Sequence, residues 1–324
     1  MSTLPHAVPA PPGALGTGLA LAAAGSIFFS AKAVVVKLAY RHGVDAATLI
    51  ALRMLCAAPF FALAYAWASR GKAPLSRADH ARLASIGLLG YYAASYMDFL
   101  GLQYVTAALE RLILYLNPTI VLLLSALIFG RKLSRRDAIA LALAYGGIIA
   151  AFWHDVSFEG GNAGLGAGLV FGSAVSYAIY LVWSGELVKR LGAIRLTAYA
   201  MLVSTAAVVV QFLVLNPISA LAQPVPVYWL SLVNGLVCTV LPVFATMMAV
   251  ERIGAGHTAM AAMLGPVATI VLAWIFLGEA VSAWQLAGTG LVLAGIFVLS
   301  RTSAARHAVV EMTGAPPTTS IGCR

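Results

Sequence analysis

Charge is what this sequence has least of. Only 10% of its 324 residues are Asp, Glu, Lys or Arg, 61% are hydrophobic, and mean hydropathy is +0.93. A soluble domain carries about 25% charged and roughly 45–50% apolar residues. One water-soluble core cannot hide that much apolar surface, so the composition calls for lipid as the solvent. Cysteine is scarce too. Cys56, Cys238 and Cys323 stand far apart, with no Cys-x-x-Cys and no His cluster, which excludes a disulfide framework and a zinc site. No Gly-rich phosphate loop of the Walker type occurs, and no Ser/His/Asp or metal-ligand set falls at one depth, so ATP hydrolysis and an intramembrane hydrolase are not read here. The net charge of +9 lies in short loops without an aromatic-interleaved basic face, so nucleic acid is not a partner. Residues 1–14 hold no Lys or Arg, and a secretory signal needs a basic start. The first apolar run is therefore expected to remain as a span.

What is present is a repetition. Residues 105–150 align with 253–298 without a gap: Pro118 meets Pro266, Gly130 meets Gly278, Ser134 meets Ser282, and Gly147-Ile148 meets Gly295-Ile296. Leu15-Gly16-x-Gly18-Leu19 resembles Leu165-Gly166-x-Gly168-Leu169 at an offset of 150. Each half carries five long apolar segments. Five is odd, so in a bilayer the second half must run opposite to the first. Inverted repeats are how many secondary transporters build alternating access.

About 20 apolar residues span a bilayer. The expected spans are 15–38, 46–68, 82–103, 105–129, 135–153, 164–188, 194–215, 227–250, 257–277 and 281–300. The fold class is thus all-α integral membrane, with ten transmembrane helices as two inverted five-helix repeats around a central cavity. Its parts are a cytoplasmic tail (1–14), the first repeat (15–153), the second (164–300) and a disordered cytoplasmic tail (302–324). With the N-terminus inside, fifteen of twenty basic residues fall on inner loops or the tail, and only Arg41 on an outer loop. That asymmetry places both termini in the cytoplasm. The loop 103–106 is then outside, and its repeat mate 251–254, with Arg252, inside.

Intramembrane charges cost about 2.5–3.5 kcal/mol each on insertion scales, so they need partners or water. Lys32, Arg53, Asp98, Glu110 and Arg111, from the first four spans, fall at one depth, about 7–11 Å below the outer interface. Two readings apply. The set closes an outer gate, binds a zwitterion or relays a proton, or it is an ion-pair network that locks the first half together. Desolvation suits Asp98 and Glu110 to proton coupling. Arg53 and Arg111 offer planar forks for bidentate pairing within the gate.

Aromatics form a second constellation. Tyr92, Tyr96 and Phe99 follow helical spacing on the third span, with Tyr91 and Ser95 alongside; Ser173, Tyr177, Tyr180 and Ser184 share a face of the sixth. A mid-membrane Tyr needs a partner for its hydroxyl. Facing one another, these stripes would line a cavity for a small amphipathic solute; the alternative is ordinary helix packing. Pro118 and Pro266 free the Leu114 and Ala262 carbonyls and kink their helices. Those carbonyls can hold a ligand or only permit bending, and Asn117 is a further ligand candidate. His257 and Glu186 read as interfacial residues, and the Gly164, Gly168, Gly172 steps as close helix packing.

The stretch from Pro118 through Gly130-Arg131-Lys132-Leu133-Ser134, and its mate from Pro266 through Gly278-Glu279-Ala280-Val281-Ser282, resemble the signature of the EamA-type drug/metabolite transporters. The likeness runs from about 15 to 300, with Arg131 standing where the family pattern has Glu, as at Glu279. It implies two inverted five-helix units and ATP-independent efflux of amino acids or other small metabolites across a bacterial cytoplasmic membrane. The leading expectation is therefore an exporter, not an enzyme. Its substrate would sit against Tyr92, Tyr96, Asn117, Tyr177 and Tyr180, and the charged set would serve as gate or coupling site. No cofactor or metal is called for. The partners are a small-molecule substrate and the bilayer, with proton coupling and a homodimer both compatible. Efflux of amphipathic cations or drugs and a passive channel are the rival readings.

Overall fold

The computed structural model describes residues 14–130, 133–159 and 162–313. The expectations for 1–13, Arg131, Lys132, Cys323 and the rest of 314–324 lie outside the described residues. Within them every regular element is helical and no strand occurs. In chain order they are α1 (Ala14–Tyr40), α2 (Ala46–Ser69), α3 (Arg77–Gly87), α4 (Ala94–Gly101), α5 (Ala107–Leu114), α6 (Asn117–Phe129), α7 (Arg135–Glu159), α8 (Ala163–Leu191), α9 (Ala193–Leu215), α10 (Val225–Gly235), α11 (Leu241–Ala262), α12 (Leu264–Leu277) and α13 (Ala283–Thr313). Wide π-type turns, Leu88–Ala93 and Leu236–Val240, join α3 to α4 and α10 to α11.

Six helical stretches are long and apolar enough to cross a membrane: Gly16–Tyr40, Ala46–Ser69, Ala107–Ile128, Ala163–Gly185, Ala193–Leu215 and Val225–Val250. Leu264–Leu277 and Ala283–Val298 are shorter apolar helices. The expected spans 82–103 and 135–153 also fold as helices outside that set; their elements open on charged turns, Arg77-Ala78-Asp79 and Arg135-Arg136-Asp137. The last helix runs to Thr313, so the stretch expected to be disordered from 302 begins helical. Residues 302–313 hold three Ala and no Gly or Pro, which permits helix, and the first breakers are Gly314 and Pro316.

The matched residues of the two halves turn out to be boundary signals. Gly130 and Gly278 close α6 and α12 in the left-handed conformation, at φ 64° and 72°, where a Cβ is penalised. Ser134 and Ser282 open the helices that follow. The Asp137 amide donates to Ser134 Oγ at 3.2 Å, and the Gln285 amide to Ser282 Oγ at 3.0 Å. Asp137 and Gln285 accept the serine amides in return, at 2.9 and 3.3 Å, so each half carries a capping box.

Packing repeats as well. A Cβ on Gly147 would lie 2.6 Å from the Gly288 carbonyl oxygen, and one on Gly295 2.7 Å from that of Ala140. Advancing along α7 means retreating along α13, so these two helices cross antiparallel. Gly87 approaches the Ala200 carbonyl oxygen and Gly235 that of Arg53, each at 2.8 Å from an added Cβ. Gly18 packs on Ile253 and Gly166 on Val105. The structural register of the first helices is therefore the same 148 found elsewhere, not the offset of 150 read from the Leu-Gly motif. Short apolar motifs are cheap to shift; close backbone contacts are not.

The expected break at 251–256 is absorbed into α11, which is helical from Leu241 to Ala262. Thr106, which caps α5 by accepting the Leu109 amide at 3.0 Å, has Gly254 as its repeat mate, so no side chain marks the boundary. The chain still turns back there. Thr246 and Ala262 would stand about 24 Å apart along a straight helix. Yet Gly25 packs on Thr246, and Ser26 Oγ donates to the Ala262 carbonyl at 2.9 Å. The main core joins α1, α2, α4, α9 and α10 around Leu49, Ile50, Met54, Phe61, Phe99 and Met201.

Candidate functional site

Five charged side chains from four helices were expected at one depth, and all five are buried, each at most 5% exposed. The structure unites three of them. Lys32 on α1 pairs with Asp98 on α4 and lies 2.9 Å from Glu110 Oε1 on α5. One ammonium thus bridges three helices and faces two carboxyl groups. The two carboxyls also lie within hydrogen-bonding reach of each other, and no further aligned donor reaches Asp98 Oδ1 or Glu110. The triad carries more acceptors than its one cation can satisfy.

The arginines depart from expectation: neither makes a carboxylate fork. Arg53 donates to Ser95 Oγ at 3.0 Å and lies over the Phe99 ring at 4.8 Å, with Nε unpartnered. Arg111 donates to the Phe29 carbonyl and, through Nε, to Thr269 Oγ1 at 3.2 Å, while stacking on the Phe29 ring at 4.9 Å. Thr269 in turn donates to the Ser30 carbonyl at 3.2 Å. Arg111 therefore ties α5 to α1 and to α12 of the other half. The reason is positional: Lys32 already occupies the space between the carboxyls, and the aromatic faces take the guanidinium planes, as cation–π geometry favours.

The aromatic expectation is half met. Tyr177 and Tyr180 stack at 5.3 Å, but their partner across the interface is Tyr91. Its ring lies 5.0 Å from Tyr180 and 6.2 Å from Tyr177, and its hydroxyl sits 3.2 Å from that of Tyr180. Tyr92 and Tyr96 pack instead against the main core. The wide turn at Leu88–Ala93 explains the swap, since an extra residue per turn rotates everything counted through it. A recess of about 290 Å³ opens elsewhere, lined by Lys37, Tyr40, Gly43, Val44, Leu102 and Gln103.

Both prolines break their helices as expected, Pro118 at the start of α6 and Pro266 at the start of α12. The freed carbonyls are not vacant. Asn117 Nδ2 donates to the Leu114 carbonyl at 2.7 Å, while Tyr115 Oη and Ser26 Oγ both donate to that of Ala262. Asn117 Oδ1 is left buried without a partner, so the side chain rather than the peptide is the free ligand atom.

Two features escaped the sequence reading. Glu279, noted only as part of a motif, accepts the Ala107 amide with both oxygens at 3.2 Å and pairs with Lys37 at 3.3 Å. It caps α5 from the opposite half of the chain, where a helix N-terminus favours an anion. Arg41 donates to the Leu277 carbonyl beside it. At the other end of the bundle, Arg190 pairs with Asp79, and Arg195 donates to Ser69 Oγ at 3.1 Å and to the Ala73 carbonyl at 3.0 Å. Among the described residues no cluster of three or more His, Cys, Asp or Glu could hold a metal.

Known proteins resemble this chain over most of its length. The chain is 32% identical over 285 residues to the uncharacterized transporter YcbK of Bacillus subtilis (strain 168), covering 83% of this chain and 90% of that one. An uncharacterized transporter of Archaeoglobus fulgidus is 27% identical over 211 residues, 64% of this chain and 72% of its own. One solved crystal structure shares the fold with a TM-score of 0.61 at 19% identity, over 87% of this chain and 98% of that one. Residues 16–153 and 164–301 each match the EamA-like transporter family. The chain belongs to that family: it is a multi-pass membrane transporter built from two repeats, and not an enzyme.

Proposed function

We propose that the protein is a secondary carrier that exports small metabolites, amino acids or their relatives foremost, across the cytoplasmic membrane by alternating access. In this reading ten spans form two inverted five-helix units with both termini in the cytoplasm. The antiparallel crossing of α7 and α13, through the repeat-related pairs Gly147/Gly288 and Ala140/Gly295, supports the inversion. The end bearing Arg41 and Glu279 is then the outer one, and the end bearing Arg190 and Arg195 the inner one, in line with the positive-inside rule.

The observation that carries the reading is the Lys32–Asp98–Glu110 triad. Ions buried in an apolar bundle are costly and mark substrate or ion pathways. Here their partnership joins α1 to α4 and α5, so breaking it frees three helices together, as an outer gate must. Two carboxyls on one lysine also provide a place for a coupling proton. Asn117 Oδ1 and the Tyr91, Tyr177 and Tyr180 hydroxyls offer the substrate neutral hydrogen bonds toward the other end.

Reconstituted protein tests this directly. Wild type should accumulate a labelled amino acid mixture against its gradient, and a protonophore should abolish the accumulation, which a passive channel could not show. Glu110→Gln should fold normally and lose most of the flux; flux at the wild-type rate removes Glu110 from the mechanism. Cysteines replacing Val105 and Ala255 should label from opposite compartments, and labelling from one side would overturn the inverted architecture.

A further inference from the structure

The second half of the chain has a polar stripe that the triad does not use. Ser231, Asn234 and Cys238 follow helical spacing through the end of α10 and its wide turn, and each is at most 1% exposed. Ser231 Oγ and both amide atoms of Asn234 have no hydrogen-bond partner. The backbone there is satisfied: Thr239 Oγ1 donates to the Asn234 carbonyl at 2.8 Å. Only the side chains are left wanting. A buried amide without partners is a liability that native chains rarely keep without use.

Two observations tie this stripe to the charged site, and a third shows that its polarity is not needed for packing. Gly235 lies against the Arg53 carbonyl oxygen and the Cys56 side chain. Cys238 lies within electrostatic reach of Arg111, Lys32 and Arg53. The repeat mates of Ser231 and Asn234 are Leu83 and Ile86, which are buried core residues. At this place in the fold, apolar side chains are therefore enough for packing, and polarity is needed for something else. Within the charged site itself, Arg53 Nε is likewise unpartnered.

We infer that Ser231 and Asn234 are the second-half wall of the substrate site, and that the site takes a zwitterion. Its ammonium answers Asp98 and Glu110, its carboxylate answers Arg53, and its neutral polar atoms answer Asn234. The inference rests on the carrier reading above and adds the residues that select for polarity.

Asn234→Leu and Ser231→Ala separate a ligand role from a structural one. Thermal melting is measured in detergent, and exchange of a ¹⁴C-labelled mixture of natural amino acids in proteoliposomes. Removing an orphaned buried amide should raise the melting temperature of Asn234→Leu by a few degrees, the stability–activity trade-off of a functional residue. Exchange should fall at least tenfold. Ser231→Ala should shift both in the same directions by less. A lower melting temperature for Asn234→Leu, or exchange at the wild-type rate, overturns the assignment. No exchange by wild type defeats the amino acid reading and this inference together, whereas exchange by wild type and variant alike defeats the inference alone.

Discussion

Gly147 and Gly288 each stand where a Cβ would strike the other's carbonyl oxygen, at 2.6 and 2.5 Å. The contact couples the last helices of the two repeats, backbone to backbone. Gly288→Val should therefore destabilise the protein by about 1–3 kcal/mol, the usual cost of overpacking where the neighbour cannot yield. Gly290→Ala, two residues on with nothing within 4 Å, should be neutral or gain up to about 1 kcal/mol from helix propensity. Chemical or thermal unfolding of the two variants side by side checks the contrast, and equal losses would remove the contact as the cause.

Lys32 is the sole cation within salt-bridge distance of Asp98 and Glu110 among the described residues. Lys32→Met should cost about 3–5 kcal/mol, the range for breaking a buried pair from one side. Lys32→Met combined with Glu110→Gln should recover part of that loss, because one stranded carboxylate is gone. An additive double mutant would mean that the two groups do not interact.

Glu279 joins the two halves at the Arg41 end. Glu279→Ala should cost about 1 kcal/mol, as for the loss of a helix cap. Glu279→Gln, which keeps an acceptor for the Ala107 amide but loses the Lys37 charge, should fall between alanine and wild type. The ranking is read from melting temperatures. A glutamine variant no better than alanine would show that the charge, not the cap, matters.

Asp79 sits at the charged start of α3, outside the apolar spans. Its carboxylate accepts from Ser76 and Arg190, and these bonds hold its pKa below the ordinary carboxylate value. A depressed folded pKa means that the stabilisation is complete above the unfolded value of about 3.9 and fades as pH falls through the lower, folded value. Asp79→Asn should flatten the acid limb of the stability curve and leave stability above neutral pH with a constant offset. An unchanged acid limb would remove Asp79 as a contributor.

The helices, most of their breaks and the doubling of the plan were legible because each depends on local chemistry. Pro118 removes an amide donor, Gly130 tolerates positive φ, and Ser134 reaches its own helix's amides. None of these consults a distant neighbour. The shared depth of Lys32, Asp98 and Glu110 was legible for the same reason, since depth is counted along a single helix.

Partnership was not. Helical counting favoured Tyr92 and Tyr96, but the wide turn at Leu88–Ala93 rotates the helix and presents Tyr91 to Tyr180. Arg111 looked like a gate partner for a carboxylate and bonds instead to Phe29 and Thr269. Glu279 caps a helix more than 170 residues away in sequence. The order of residues thus determined the solvent, the elements and their duplication, because hydropathy and capping act within one turn of chain. The rotation of each helix about its axis, and so which polar atom meets which, was decided only by the packing of all the helices against one another.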